Sequence, residues 1–549
     1  MFGDDTAVRD LVAGRGVHLG LVTSVLAQRY GDRVVVEEEH GTPGIGTGGI
    51  RTAVQVEDAV ARLAAAHEAA GRREDERVLV LLGNRYDILL HAFALARVGA
   101  VAVPVNPRLQ ANEVAAIAGS SGARAVVADD DVAAELRDHG DLADLAWSTT
   151  GSDDASSGLA GWLGDHPDAR IGPVARDASA TSLLLTTSGT TGTPKAAALS
   201  SRGLLSALGR LVAAPVGRSV GPRGDRDSVV AALPLTHIMG FSVALGTLCA
   251  GVPLLHRSSF DADEVLTLIE ERRPNVFIGV PTMYADLESA GAADRDLGSI
   301  QLWGSAADAM PADRARRFQR YGGAIRVAGK ARGTAVFVDI YGMVELSGAA
   351  AVRVYLPSPS ERVDVPSFAV VLPGIEARVV DEDRRPVGRG KEGELEFRGE
   401  SVLSGYEGRE DAGPDEAGWF ATGDHARLYP GGVFQFAGRS RDRIKVGGFS
   451  VFPAEVETDL REHPDVADVA LVGVPDDRLG ERPVALLVPT AGDVDTDAYL
   501  AWASDAVAGY RRPQAAFIID ALPRGNNGKV DRQAATDLAV ERLAAGADA

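Results

Sequence analysis

The 549-residue sequence holds a single cysteine, Cys249, so no disulfide can form within the chain. It lies among the small and apolar residues 248–252, where a buried core thiol is expected, and a reducing compartment suits it. Basic charge is scarce: 56 Lys and Arg stand against 77 Asp and Glu, a formal net charge of −21. That balance offers no basic surface to a phosphate backbone and argues against a nucleic-acid partner. No uncharged run reaches the roughly 20 residues that cross a bilayer. The first residues carry early acidic groups and no apolar stretch of signal-peptide length, so a cytoplasmic protein without a membrane span is expected. No internal repeat stands out, which excludes a solenoid or propeller.

What is present is an ordinary globular composition, 45% apolar and 24% charged. At this length two or more domains are expected. Residues 54–70 form an Ala-rich amphipathic stretch stopped by Gly71 and read as a helix. Apolar runs at 78–82, 100–105 and 123–128 alternate with helical patterns at 87–98 and 112–118. Continuous apolar strands between helices indicate a parallel sheet covered on both faces. The pattern returns at 183–185, 229–233 and 276–280, while 138–182 reads as a surface connection. After about residue 380 short antiparallel β structure is expected at 394–398 and 433–436, around the Pro430-Gly431-Gly432 turn. A small α+β unit follows, with helices at 453–462 and 496–507 and strands at 466–474, 483–488 and 515–519. The fold class is therefore α/β: a large N-terminal domain (1–438) of stacked, mostly parallel sheets with helices and a β subdomain, then a small mobile α+β domain (439–549).

The segment Thr186-Thr187-Ser188-Gly189-Thr190-Thr191-Gly192-Thr193-Pro194-Lys195 directly follows a strand and precedes a helix-like stretch. Its glycines let backbone N–H groups approach phosphate oxygens, its hydroxyls add donors, and Lys195 adds a cation. It is not a Walker loop, since Lys195 follows Pro194 and lies three residues past the second glycine.

This segment resembles the signature loop of the adenylate-forming superfamily, which includes acyl-CoA synthetases, peptide-synthetase adenylation domains and firefly luciferase. The same family's motifs recur in order over essentially the whole chain: Leu233-Pro234-Leu235-Thr236-His237, Gly304-Ser305-Ala306, Asp339-Ile340-Tyr341-Gly342-Met343-Val344-Glu345, Thr422-Gly423-Asp424, Gly438-Arg439 with Gly447-Gly448 beyond, and Leu522-Pro523-Arg524 with Gly528-Lys529. The resemblance implies ATP, Mg²⁺ and coenzyme A as reactants, with the cofactor-binding set Thr187, Ser188, Gly189, Thr190, Thr191, Gly192, Lys195, Gly304, Ser305, Ala306, Asp339, Tyr341, Gly342, Asp424, Arg439, Gly447 and Gly448. It also implies that the small domain swings about a residue just after the Gly-Arg pair, here Arg441.

Adenylation sets a carboxylate against the α-phosphate of ATP, so the site must supply cations and oriented donors. Lys529 is the candidate to neutralise the charge that grows between them. Glu345 is the candidate Mg²⁺ residue, because that ion favours one carboxylate with phosphate oxygens and water. Tyr341 offers a ring face to adenine. Asp424 can accept from both ribose hydroxyls while Arg439, fifteen residues on, donates. His237 is a third catalytic candidate, gating the acid or shielding the adenylate, with a satisfied core histidine as the plain alternative. Gly447 and Gly448 lack side chains and could let a pantetheine arm pass.

Three departures from the family pattern bear on rate and substrate. Val344 stands where the family has Thr, Ala196-Ala197 replace Gly-Val, and residues 322–338 form a longer segment than usual. Around 237–242 and 279–284 there is no acidic residue to hold an amino group and no Lys or Arg for a second carboxylate. An apolar monocarboxylate, fatty or aryl, is expected as the small-molecule acid. The expected product is acyl-CoA, with AMP and pyrophosphate released. A ligase that loads a carrier protein is the alternative, although only 20 residues follow Lys529 and the net charge would repel an acidic carrier. A third reading, a homologue that holds nucleotide without turnover, rests on Val344.

Overall fold

A computed structural model describes all residues except 1–15, 44, 46–48, 152–157, 188–194, 214–226, 309, 328–329, 356–367, 410–411, 447–448, 477, 491, 493, 508, 526–528 and 548–549. The chain separates into two compact units. The first comprises Met1–Asp364, Val371–Glu376 and Phe397–Phe420, and the second Val365–Val370, Ala377–Glu396 and Ala421–Ala549.

Among the described residues the first unit contains two large sheets with helices between their strands, besides a two-stranded sheet of Ile325–Val327 and Lys330–Arg332. One has the strand order Gly405–Tyr406, Lys195–Ser200, Thr181–Thr187, Val101–Pro104, Arg77–Leu81, Ala125–Ala128, Ala146–Thr149. From Thr181–Thr187 to Ala146–Thr149 every neighbour is parallel. The strands Val101–Pro104 and Ala125–Ala128 are buried along their whole length, as sheets covered on both faces require. The other sheet runs Gly348–Tyr355, Val336–Met343, Leu302–Ala306, Val276–Gly279, Val229–Ala231, Leu254–His256, Val34–Glu37, Ile50–Thr52, and is parallel between its outermost pairs. Its core is aromatic. Tyr284 meets Phe277 at 5.4 Å and Phe318 at 4.8 Å between ring centroids, both edge-on, and Trp303 closes the cluster.

Helix Ala53–Ala69 starts at a capping box in which Thr52 accepts from the Gln55 N–H and the Gln55 side chain accepts from the Thr52 N–H. Helix Asp87–Arg97 is buried all round, which is why its pattern is continuous rather than striped.

Two segments differ from the sequence expectation. Within 138–182 the strand Ala146–Thr149 extends the first sheet beside Ala125–Ala128, and helix Leu159–Asp165 follows. Four residues with a half-exposed start carry too little periodicity to announce a strand. The stretch after the loop lysine is a strand, Lys195–Ser200, before the helix Ser201–Ala213. Its alanines favour helix, but antiparallel pairing with Thr181–Thr187 overrides that preference.

The second unit pairs Phe420–Tyr429 with Val433–Arg439 in antiparallel register, joined across a turn in which Gly431 has φ 79°. Its α+β part sets Val466–Asp476 antiparallel to Gly480–Pro489, which in turn runs parallel to Ala515–Ile518. Helices Pro453–Leu460, Thr496–Ala506 and Arg532–Ala547 accompany these strands. The cut expected between 438 and 439 falls inside this unit; it stays a proposal about where the chain hinges. Among the described residues no helix is long and apolar enough to cross a membrane.

Two histidines in the first unit are buried against each other, with His67 Nε2 2.9 Å from His91 Nδ1. Burial lowers both pKa values, that of His91 to about 4. The unfolded chain therefore takes up protons first as pH falls, and stability present above about pH 6.5 is lost toward pH 4. His256 adds to this loss, while Asp339, raised to about 6 by burial, works in the opposite sense over part of the range. Denaturant midpoints between pH 7 and 4.5 are expected to fall, by up to about 1.4 kcal/mol per pH unit for each such histidine. In His91→Leu the slope should become shallower whatever the absolute stability; an unchanged slope would show that this pair does not carry the effect.

Candidate active site

The C-terminal ends of the parallel strands are where open α/β sheets bind ligands. Here Gly279, Ser305 and Asp339 stand side by side on three neighbouring strands, Gly279 and Ser305 at or next to the ends of theirs. Gly304, Ser305 and Ala306 thus lie in one strand and face the motif strand Val336–Met343. Ser305 is fully buried, and its hydroxyl has no partner among the described residues. Asp339 is engaged by Arg353 on the next strand at 2.9 Å, and Arg353 also donates to the Met310 carbonyl. Burial pushes the Asp339 carboxyl up to about 6 against the pull of Arg353. The pairing builds Asp339 into the sheet.

Beyond Asp339 the strand carries Tyr341, half-buried, its ring 6.0 Å from that of Phe397 and tilted by 31°. The register with the returning strand Gly348–Tyr355 shifts between Tyr341 and Gly342. A Cβ on Gly342 would stand 2.2 Å from the Gly348 carbonyl oxygen, so only glycine fits this crossing. The chain then makes the tight turn Val344–Leu346, which places Glu345. The Glu345 carbonyl accepts from the Leu403 N–H at 2.8 Å, and its carboxylate accepts from the Tyr406 hydroxyl at 2.8 Å. Lys195 lies over the ring of the same tyrosine, 5.4 Å from its centroid. Tyr406 was not legible as a site residue, because it is 61 residues from Glu345 and outside the motifs.

Thr187 and Lys195 face each other across the hairpin. Ser188, Gly189, Thr190, Thr191 and Gly192 lie outside the described residues, as do Gly447 and Gly448. Among the described residues no three His, Cys, Asp or Glu side chains gather to cage an ion. A single carboxylate such as Glu345 fits Mg²⁺ that arrives with nucleotide phosphates.

His237 sits at the start of helix Ile238–Ala250, its N–H bonded to the Pro234 carbonyl, and desolvation lowers its pKa. The segment before it is held by a residue outside the motifs, Asn84. The amide of Asn84 accepts from Leu235 N–H at 2.8 Å and donates to the carbonyls of Leu233 and Ser258. Gly348 packs close to Ser242, where a Cβ would meet the hydroxyl at 3.2 Å, so the helix lies against the Glu345 turn. Ile238, Met239, Val280, Met283, Ile340 and Val344 are each only partly covered. Tyr284, by contrast, is a core residue, fully buried with its hydroxyl on the Gly304 carbonyl at 2.7 Å. Cys249 is buried as well, its thiol pushed up to about 12.

In the second unit the Thr422-Gly423-Asp424 segment of the strand Phe420–Tyr429 is fixed by three bonds. Thr422 donates to the Leu395 carbonyl, Gly423 N–H to Glu394, and Asp424 N–H to the Thr422 hydroxyl. Gly423 adopts φ 73°, which a side chain would strain. Asp424 and Arg439 are direct cross-strand partners, and Arg439 Nε stands 3.2 Å from the Asp424 carboxylate. Asp424 is 3% exposed and Arg439 37%, so the carboxylate is fixed while the guanidinium reaches solvent. Lys529 lies half-buried in the same unit, between the Ala515–Ile518 strand and the helix Arg532–Ala547.

The fold and this set of residues define an adenylate-forming enzyme. The chain belongs to the AMP-binding enzyme family, whose model matches residues 25–407, with the AMP-binding enzyme C-terminal domain matching 455–529. It is an acyl-CoA synthetase, an AMP-forming acid–thiol ligase, a class that consumes ATP with Mg²⁺ and coenzyme A. Among its relatives, feruloyl-CoA synthase from an Amycolatopsis species is 33% identical over 485 residues, 86% of this chain and 90% of that one. The 4-coumarate–CoA ligase 1 of Oryza sativa subsp. japonica is 29% identical over 89% and 87%. The ATP-bound structure of MatB from Rhodopseudomonas palustris superposes with a TM-score of 0.78 at 25% identity, covering 95% of this chain and 99% of that one.

Proposed function

We propose that this enzyme activates an aromatic carboxylic acid, of the hydroxycinnamate kind, and transfers the acyl group to free coenzyme A. The observation that carries the choice of acid is the row of partly covered apolar side chains at the strand ends and at the start of helix Ile238–Ala250. Val344, in place of a hydroxyl-bearing residue, makes this surface more apolar still. The two relatives named for aromatic acids support an aryl substrate over the fatty acid equally compatible with the sequence.

In the first half-reaction a carboxylate oxygen attacks the α-phosphorus, the new C–O–P bond forms, and the bond to the bridging oxygen breaks to release pyrophosphate. Lys529 neutralises charge between carboxylate and phosphate, and Lys195 holds the departing phosphates. Tyr341 presents its ring to adenine, and Asp424 with Arg439 holds the ribose. Glu345 would hold Mg²⁺, which when bound would offset phosphate charge. In the second half-reaction the coenzyme A sulfur attacks the acyl carbon, its proton passes to solvent, and AMP leaves. His237 shields the adenylate from water.

The test is pyrophosphate release and acyl-CoA formation with ferulate, 4-coumarate, indoleacetate and C8 to C16 fatty acids. An aryl acid is expected to exceed every fatty acid by about tenfold or more in kcat/KM, the discrimination that shape and apolar contact supply. A fatty acid at the head of the series would overturn the choice of acid. Adenylate that persists with coenzyme A and discharges onto a holo-carrier protein would overturn the choice of acceptor.

A further inference from the structure

Tyr406 touches two residues of opposite charge in the first unit. Its hydroxyl donates to Glu345 Oε1 at 2.8 Å, and its ring face lies 5.4 Å from the Lys195 ammonium. The tyrosine is fixed by its backbone. Gly405 and Tyr406 pair antiparallel with Ala198 and Ala197, three and two residues beyond Lys195. Ser404 N–H donates to the Ala198 carbonyl and Glu407 N–H to that of Ala196. Leu403 N–H donates to the Glu345 carbonyl. One short segment therefore ties the strand of the loop lysine to the turn of the candidate metal residue. Gly405, at φ 151°, takes a backbone conformation that side chains rarely adopt.

A lysine and a glutamate near one site have an obvious competing arrangement, a direct ion pair that would remove both from the phosphates and the metal. Tyr406 offers each a different partner. The phenol O–H satisfies one carboxylate oxygen by a charge-assisted bond and leaves the other for a ligand. The ring quadrupole attracts the ammonium without consuming its N–H donors on an acid.

We infer that Tyr406 is a positioning residue for adenylation, keeping Glu345 and Lys195 apart so that one meets Mg²⁺ and the other the phosphates. The inference rests on the reading of Glu345 as the Mg²⁺ residue. Tyr406→Phe removes the hydroxyl and keeps the ring, whereas Tyr406→Ala removes both.

The experiment is ATP binding by calorimetry, with and without Mg²⁺ and without acid, on the wild type, Tyr406→Phe, Tyr406→Ala and Glu345→Gln. Thermal midpoints and thioester formation from supplied acyl-adenylate serve as checks on folding. Tyr406→Phe is expected to lose about tenfold of the Mg²⁺-dependent gain in ATP affinity, the size for one hydrogen bond to a charged group. Its affinity for ATP without metal should stay unchanged. Tyr406→Ala should show the same loss and bind metal-free ATP about threefold more weakly, through Lys195. Both variants should still form thioester from supplied adenylate. A Glu345→Gln that loses the Mg²⁺ effect beside a Tyr406→Phe that keeps it overturns the inference alone. A Glu345→Gln that keeps the effect overturns the reading of Glu345, and the inference with it.

Discussion

Replacing Lys529 by alanine is expected to slow acyl-adenylate formation by at least about a hundredfold, the usual size for removing a group aimed at charge that develops in the transition state. Carboxylate and α-phosphate both carry negative charge, and Lys529 is the cation proposed to sit between them. Its position in the chain is well anchored. The Gly525 N–H donates to the Lys529 carbonyl at 2.9 Å, Asp531 N–H to the Pro523 carbonyl, and Arg524 pairs with Asp468 at 2.8 Å. The loss of one amine therefore leaves these bonds in place. Thiolation of supplied acyl-adenylate brings no second anion to the phosphate, so it should fall less than about threefold. Pyrophosphate release and acyl-CoA formation, measured separately, check the split. Equal loss in the two half-reactions would remove Lys529 from its assigned step.

Asp424→Ala is expected to raise the KM for ATP by roughly ten- to a hundredfold, because two ribose hydroxyls lose a charged acceptor worth about 1.5–3 kcal/mol. The site is suited to so large an effect: the carboxylate is 3% exposed, its backbone is held by the Thr422 hydroxyl, and Arg439 pairs with it. Removing it leaves Arg439 with 37% exposure, so the guanidinium finds water and the fold should survive. Asp424→Asn, which keeps one acceptor, should fall between. The KM for the acid should hardly move in either variant. An unchanged ATP requirement in Asp424→Ala, or a parallel rise in the acid KM, would place ribose recognition elsewhere.

The first sheet was legible because strands such as 101–104 and 125–128 are buried along their length and the helices beside them stop at or just before Gly71, Gly99 and Gly122. The strands at 77–81, 101–104 and 125–128 and the helices between them lie within two or three residues of where apolar runs predict them. The edge strand Ala146–Thr149 and the strand Lys195–Ser200 were not legible. The first is short and half-covered, and the second is alanine-rich and becomes a strand only through its partner.

The site divides in the same way. Sequence alone determined the residue types and their order: the hydroxyl- and glycine-rich loop, Tyr341-Gly342, Glu345, Thr422-Gly423-Asp424, Arg439 and Lys529. Chemistry dictates these types locally, since a backbone position at φ 73° favours Gly423 and a ribose acceptor needs a carboxylate. Only the tertiary structure decided which side chains meet. It paired Asp424 with Arg439 through antiparallel register, and drew Asp339 into the sheet through Arg353. It brought Asn84 to the segment before His237, and Tyr406 between Lys195 and Glu345. These contacts span tens to hundreds of positions, and no local propensity or spacing encodes them. They exist because the folded sheets set chain segments side by side, consecutive strands for Asp424 with Arg439 and Asp339 with Arg353, distant segments for Asn84 and Tyr406.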